Sequence, residues 1–395
     1  MADALKYLEA EIKDLKDQSL YSWPRTLDGA NKAICVYDNK EVINLSANNY
    51  LGLCDHPKIV ERALEYTKKY GAGPGAVRTI AGSMKIHLDL EEKIADFKHC
   101  EACLLFQSGY TANAGTSAAI LDKQSIVFSD QLNHASIIDG IRISGTAKGI
   151  YKHSDMDHLK QLLEENRDKE YNRRLLVTDG VFSMDGDIAK LPELVELAGE
   201  YDCIMMIDDA HSSGVLGSHG RGTVDHYNLH GQVDIQVGTL SKAIGALGGY
   251  VVGTRALIDW LMNRGRPILF STSLPPAVVG AVDAAFDLLK EDDSLVKQLW
   301  QNREYWVKGL QEAGFDVGQS ATPIVPIIAG ENEKAVTLSR RLFEEGLFAQ
   351  SIVFPTVPRG TARVRTIVTA KHTPDILDRA LEIFTKVGKE LEIIS

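Results

Sequence analysis

Six short apolar runs, each separated from the next by helix-like spacing or a glycine-rich turn, dominate the chain between residues 55 and 255. They are Cys103–Phe106, Ser125–Phe128, Leu175–Val177, Ile204–Ile207, Ile235–Val237 and Tyr250–Val252. The runs are continuous rather than alternating, which is the texture of strands covered on both faces. Helices between such strands require right-handed crossovers and predict a mostly parallel sheet. A sheet of that kind takes its ligands at the carboxyl ends of its strands. The polar residues just after the runs are therefore where chemistry is expected.

Those residues form a recognisable set. Ile204-Met-Met-Ile207 ends in Asp208, with His211 three residues on. A carboxylate buried alone at a strand end costs several kcal/mol, so it calls for a cation, and a protonated pyridine nitrogen qualifies. Asp209 reads instead as a helix cap. Lys242 lies in Thr239-Leu-Ser-Lys-Ala-Ile-Gly245, between an apolar run and Gly248-Gly249. Burial there would lower its pKa and free the amine. Gln107-Ser-Gly109-Tyr110-Thr-Ala-Asn113 follows a strand and opens a helix, and such an N-terminus attracts anions. Together these features predict a pyridoxal 5′-phosphate site. Lys242 would be the covalent attachment, Asp208 the partner of the ring nitrogen and His211 the neighbour of the ring oxygen O3′. The glycine turn would cradle the phosphate, with Thr239 and Ser241 in reach.

Three further features carry two readings each. His134, in Asn133-His-Ala-Ser136, could stack on a pyridine ring or cap a helix. Ser183, in Asp179-Gly-Val-Phe-Ser-Met-Asp185-Gly186, could reach O3′ or the substrate, or simply fill a turn. Arg363-Val-Arg365 places two arginines on one face of a strand. A guanidinium is the natural clamp for a carboxylate, and one of the pair reads as a surface charge. Tyr110, taken alone, reads as a core residue.

The 395 residues suffice for two or three domains. The expected division is an N-terminal helix and β segment (1–50), a large α/β domain (51–285) and a smaller α+β domain (286–395). Residues 2–20 put Leu5, Leu8, Ile12 and Leu15 on one helical face, for packing or for a dimer contact. The tail combines strand-like runs (Pro323–Ile328, Ser351–Phe354, Val364–Val368) with helical ones (Lys334–Glu345, Pro374–Leu391). A net charge of -11 argues against nucleic acid or an anionic membrane as partner. No run approaches a membrane span and no leader-like segment opens the chain, so the expected compartment is the cytoplasm. Five scattered cysteines suit a reducing environment. Cys100 and Cys103 have no second pair and read as buried thiols rather than metal ligands, and no metal site is expected.

The motifs Asn133–Gly140, Asp179–Gly186, Asp208–Gly214 and Gly238–Gly245, in this order, resemble the α-oxoamine synthase family of the aspartate-aminotransferase-like fold. The likeness runs from Ser46-Ala-Asn-Asn-Tyr-Leu-Gly52 to the C-terminus. It implies that Lys242, Asp208 and His134 are catalytic, and that Gly109 and Tyr110 contact the phosphate. It implies that His211, Ser183, Thr239 and Ser241 line the cofactor, and that Asn48, His134 and Arg365 meet the substrate. Thr272, with Ser273 beside it, would reach the phosphate of a neighbouring subunit, making the active site a homodimer property. The co-substrate would be a coenzyme A thioester. Arg25, Arg264 and Arg266 are candidates for its nucleotide end.

Within the family, Gly73-Pro-Gly-Ala-Val-Arg-Thr79, the Asn133-His-Ala-Ser136 block and Ser351–Gly360 leading to Ala362-Arg-Val-Arg-Thr366 point to the glycine C-acetyltransferase branch, with glycine and acetyl-CoA as substrates. The alternative is the 8-amino-7-oxononanoate synthase branch, with alanine and pimeloyl-CoA. Val77 lacks the hydroxyl that a succinyl carboxylate would want, which ranks succinyl-CoA low. Lys371 stands where the family pattern has a small residue. An aminotransferase and a non-catalytic partner subunit are weaker readings; the second would tolerate loss of Lys242, which is present.

Overall fold

The computed structural model describes residues 4–18, 20, 21 and 23–395. Its centre is a seven-stranded sheet in the order Ala102–Phe106, Gly249–Gly253, Ile235–Thr239, Ile204–Asp208, Arg174–Asp179, Ile126–Asp130, Ala147–Tyr151. Six strands share one direction, and Gly249–Gly253 runs against both neighbours. The mostly parallel α/β sheet expected from the apolar runs is present. Its central strands are buried along nearly their whole length, as two covered faces require.

Four strands extend beyond their apolar runs at the carboxyl end, to Asp130, Asp179, Asp208 and Thr239. The polar residues that end the hydrophobic pattern still pair in the ladder, so the sheet presents a polar edge. The seventh strand, Ala147–Tyr151, has no continuous apolar run. It is an edge strand, with only Gly149 and Tyr151 buried, and its residues alternate between core and solvent.

Residues 27–50 are woven into the C-terminal part of the chain. Lys40–Asn44 pairs with Ile34–Tyr37 and, in parallel, with Leu347–Phe348. Backbone bonds run from Ile367 N–H to the Leu45 carbonyl and from Ala370 N–H to the Tyr50 carbonyl. The helix Pro276–Glu291 spans position 285 and packs on Pro57–Tyr70 and Lys85–Phe97. The tail forms an antiparallel sheet in the order Ile324–Gly330, Ala362–Ile367, Gln350–Ile352, covered by Ser294–Glu312, Asn332–Glu344 and Pro374–Glu390. The helix Tyr7–Asp17 buries none of its residues. Leu8, Ile12 and Leu15 of its apolar stripe stay exposed, so the stripe is not packed in a core of this chain. No described helix is long and apolar enough to cross a membrane.

Trp306 joins the tail's helices to its sheet. It is fully buried, stacks edge-on against Phe384 and donates from Nε1 to Thr366 Oγ1 at 2.9 Å. Thr366 Oγ1 in turn donates to the Val325 carbonyl at 2.7 Å. Trp306→Ala should cost about 3–5 kcal/mol. The expected readout is a clearly lower urea midpoint by far-UV circular dichroism; an unchanged midpoint would mean that this helix is held by other contacts.

Candidate active site

The carboxyl ends of the central strands open into a cavity of about 220 Å³. Nine of the residues singled out from the sequence line it: Gly109, Tyr110, His134, Ser183, Asp208, His211, Thr239, Ser241 and Lys242. Asn48 and Arg365 are not part of this lining. Arg365 Nη1 donates to the carbonyl of the lining residue Ser183 at 3.0 Å, and Asn48 Oδ1 is buried with no hydrogen-bond partner among the described residues. Thr272 and Ser273 do not line this cavity. Thr272 is exposed on a segment strapped down by Gln107, whose Nε2 donates to the carbonyls of Pro267, Ser271 and Thr272. Ser273 is buried beside it.

The anion turn is built by close backbone approach. Ser108 caps the helix Gly109–Ile120, its Oγ accepting from Thr111 N–H at 3.1 Å. The first-turn N–H groups of Gly109 and Tyr110 have no intrahelical acceptor by construction. A Cβ on Gly249 would lie 2.5 Å from the Ser108 carbonyl, and one on Gly109 would crowd Thr239 at 3.2 Å. Both glycines therefore allow the helix end to press against the two strands. Thr239 Oγ1 and Ser241 Oγ share a 2.8 Å hydrogen bond at the same edge. Tyr110 is half-exposed and donates to Asp139, so it is not the core residue its side chain alone suggested.

Asp208 is buried. Its Oδ1 accepts from Ala210 N–H at 2.8 Å and its Oδ2 from Asn113 Nδ2 at 2.6 Å. The adjacent Asp209 points to the other side and is closed off by Lys98 Nζ at 2.8 Å and by Thr223 N–H. It bonds these distant groups with its side chain instead of capping the residues that follow it. Two consecutive aspartates thus have opposite fates, because successive strand side chains face opposite ways.

His134 is the N-cap of Ala135–Ser144, with Nδ1 accepting from Ser136 N–H at 3.2 Å, and it also lines the cavity. Its backbone N–H donates to Asp179 Oδ2 at 2.9 Å. Burial lowers the pKa of His134, partly offset by the charge of Asp208. Burial and the Asp208 charge together hold Asp179 well above the usual carboxylate range. Burial also lowers the pKa of the Lys242 amine, against the pull of Asp208 and Asp179. A lysine in this position reaches its neutral form more readily than one in water.

Arg363 and Arg365 do share a face, but neither is a surface charge. Arg363 is buried and bonds Asp185 and the Met184 carbonyl. The pair clamps the 183–185 turn to the tail's sheet. Of the nucleotide candidates, Arg25 is engaged by Asp38 at 2.9 Å and lies over Phe343, while Arg264 and Arg266 lie over Trp260 and Phe270. Burial raises the pKa of the Cys100 and Cys103 thiols, which keeps both protonated at neutral pH.

Tyr50, Asn113, Ser136 and Asp179 lie within the sequence motifs, but their residue types alone point to no role. Each acts by bonding a side chain distant in sequence or backbone from another element. The only signal they left was membership of a motif whose other residues had one.

Residues 40–384 match the aminotransferase class I and II family model. An 8-amino-7-oxononanoate synthase of Thermoanaerobacter pseudethanolicus is 56% identical over 99% of this chain and 98% of its own length. One from Treponema denticola is equally similar, at 56% with the same coverage. Among solved structures, SPT with a pyridoxal phosphate internal aldimine superposes with a TM-score of 0.94 at 30% identity, covering 99% of this chain and all of that one. The chain belongs to the class I and II aminotransferase family of pyridoxal phosphate enzymes, within its α-oxoamine synthase branch.

His153 anchors the turn that carries Ser183. Its Nδ1 meets Asp130 at 3.1 Å and its Nε2 meets Asp187 at 3.0 Å. Burial pulls its pKa down, but the two carboxylates prevail and raise it to about 10. A histidine raised in the folded state stabilises fully below its unfolded pKa of about 6.5, and that contribution disappears as pH rises through the folded value. His153→Gln should therefore lower the melting temperature at pH 6. The gap should narrow above pH 7 and close near pH 10. A gap independent of pH would show that the ring acts by packing alone.

Proposed function

We propose that this chain is an 8-amino-7-oxononanoate synthase, joining alanine to a pimeloyl thioester with release of coenzyme A and carbon dioxide. The observation that carries the choice is identity above 50% over nearly the whole chain to relatives of that name. Glycine C-acetyltransferase, to which the sequence motifs pointed first, joins an amino acid to an acyl-CoA in the same way but without loss of carbon dioxide. The motifs used for it weigh less than whole-chain identity. The serine palmitoyltransferase likeness, at 27–30% identity, supports the shared fold and cofactor more than the substrate.

The donor set suits pyridoxal phosphate. A helix N-terminus with three nearby hydroxyls matches a phosphate, Asp208 matches a protonated ring nitrogen, and a buried amine with lowered pKa matches an aldehyde. The unpartnered Asn48 Oδ1 leaves a polar atom for the bound substrate. When bound, this cofactor supplies an electron sink for the substrate's Cα. Lys242 would be the covalent attachment and then the base for a proton at Cα. Asp208 would keep the ring nitrogen protonated, with Asn113 and Ala210 fixing the carboxylate. His134 would pack on the ring, and Ser183 and His211 would serve its oxygen edge. Gly109, Tyr110, Thr239 and Ser241 would hold the phosphate. Arg365 and Asn48 would hold the amino-acid carboxylate.

The protein acts as a homodimer in this reading, with Thr272 and the adjacent Ser273 serving the neighbour's phosphate. The exposure of Phe270 at 71% and Ile80 at 82%, flanking the Thr272 segment, supports cover by a second copy. The domain division at 50 and 285 and a cytoplasmic setting belong to the same proposal.

Purified protein should release free coenzyme A with alanine and pimeloyl-CoA. Release only with glycine and acetyl-CoA would overturn the assignment in favour of the acetyltransferase. Lys242→Ala should lose roughly 10²–10⁴-fold or more of this activity; retained activity would remove the lysine from the chemistry. Arg365→Lys should raise KM for the amino acid roughly tenfold or more, because an ammonium cannot reproduce the fork. An unchanged KM would place the carboxylate elsewhere.

A further inference from the structure

Tyr50 is 1% exposed, and its hydroxyl lies 2.7 Å from His211 Nδ1. The two rings meet edge-on, with an interplanar angle of 84°. A tyrosine hydroxyl has one proton to donate, and a buried donor needs an acceptor. Among the described residues, His211 Nδ1 is the one hydrogen-bond partner of this hydroxyl. Were Nδ1 itself protonated, two hydrogens would face each other or the tyrosine proton would be left buried and unbonded. Tyr50 therefore donates and Nδ1 accepts. Burial pushes the phenol's pKa up, so it keeps that proton. Burial, Lys242 and Arg365 push the His211 pKa well down, so the ring stays neutral. Its single proton must then sit on Nε2. His211 lines the cavity, and no hydrogen bond ties its Nε2 to a described residue.

We propose that Tyr50 is a positioning residue that locks His211 in the Nε2–H tautomer, so that the cavity offers a hydrogen-bond donor to the ring oxygen of the cofactor. A neutral histidine free to choose could present a lone pair there and repel the same oxygen. Tyr50 is itself held by the tail, since its carbonyl accepts from Ala370 N–H at 2.7 Å. The identity of the acceptor rests on the pyridoxal phosphate reading above. The tautomer does not.

The test has two arms. In cofactor-free protein labelled with ¹⁵N-histidine, two-bond ¹H–¹⁵N spectra at pH 8 should show His211 with a protonated Nε2 and a bare Nδ1, the signal being identified by its loss in His211→Gln. Tyr50→Phe should move both nitrogens toward the averaged shifts of a tautomer mixture. A wild-type His211 protonated at Nδ1 overturns the proposal, and this holds even if Tyr50→Phe fails to fold. In the holoenzyme, the pH at which the bound cofactor's absorbance changes should rise by up to about one unit in Tyr50→Phe, because the donor to the ring oxyanion is no longer held in that tautomer. An unmoved transition at undiminished cofactor binding also overturns it. If the protein binds no pyridoxal phosphate, only the second arm fails. That outcome counts against the functional reading, and the first arm still decides the tautomer.

Discussion

The buried carboxylate of Asp208 is the interaction on which the rest of the site depends. It ends a central strand, and among the described residues its oxygens meet two neutral donors, Asn113 Nδ2 and Ala210 N–H. Its charge therefore acts on its neighbours with little screening. It raises Asp179, offsets part of the burial penalty on His134 and pulls against the lowering of Lys242. A carboxylate saturated by a nearby cation could not do this. Asp209 supplies the contrast, because Lys98 and Thr223 close it off and leave nothing for a ligand.

Around this charge, the chain fixes protons by hydrogen bonds from a second layer. Ser136 N–H bonds His134 Nδ1, and Asn113 donates to both Ser136 Oγ and Asp208. Tyr50 does the equivalent for His211. The two site histidines are neutral for the same reason, which is burial, and each is oriented by a partner that has no place in the chemistry itself. The tail contributes through Arg363 and Arg365, which grip the turn carrying Ser183. The site is therefore sensitive to how the tail packs on the large sheet.

Much of this was legible before any coordinates. The continuous apolar runs match six strands of the sheet close to their observed places, because strands buried on both faces cannot hide their composition. Four of these strands continue one or two residues past their runs, since the polar residues that finish them look like loop. The edge strand Ala147–Tyr151 escaped because half of it faces solvent. The N-terminal segment looked separate because its partner strand, Leu347–Phe348, lies some 300 residues away, and no local pattern encodes a pairing at that distance. The motifs that point to the acetyltransferase branch weigh less than identity above 50% over nearly the whole chain to 8-amino-7-oxononanoate synthases.

The sequence by itself determined the chemistry available to this protein: a lysine, an aspartate and two histidines at the ends of apolar strands, and a glycine turn opening a helix. Residue type and local spacing suffice for that, since each signal lies within a few residues of a strand end. Only the tertiary structure decided which aspartate is closed off by a lysine and which lines the cavity, which arginines grip the turn beside it and how each histidine is hydrogen-bonded. Those outcomes depend on partners brought from distant parts of the chain, Lys98 to Asp209 and Tyr50 to His211 among them. Burial and hydrogen-bond geometry are properties of the folded molecule, and no short stretch of sequence specifies them.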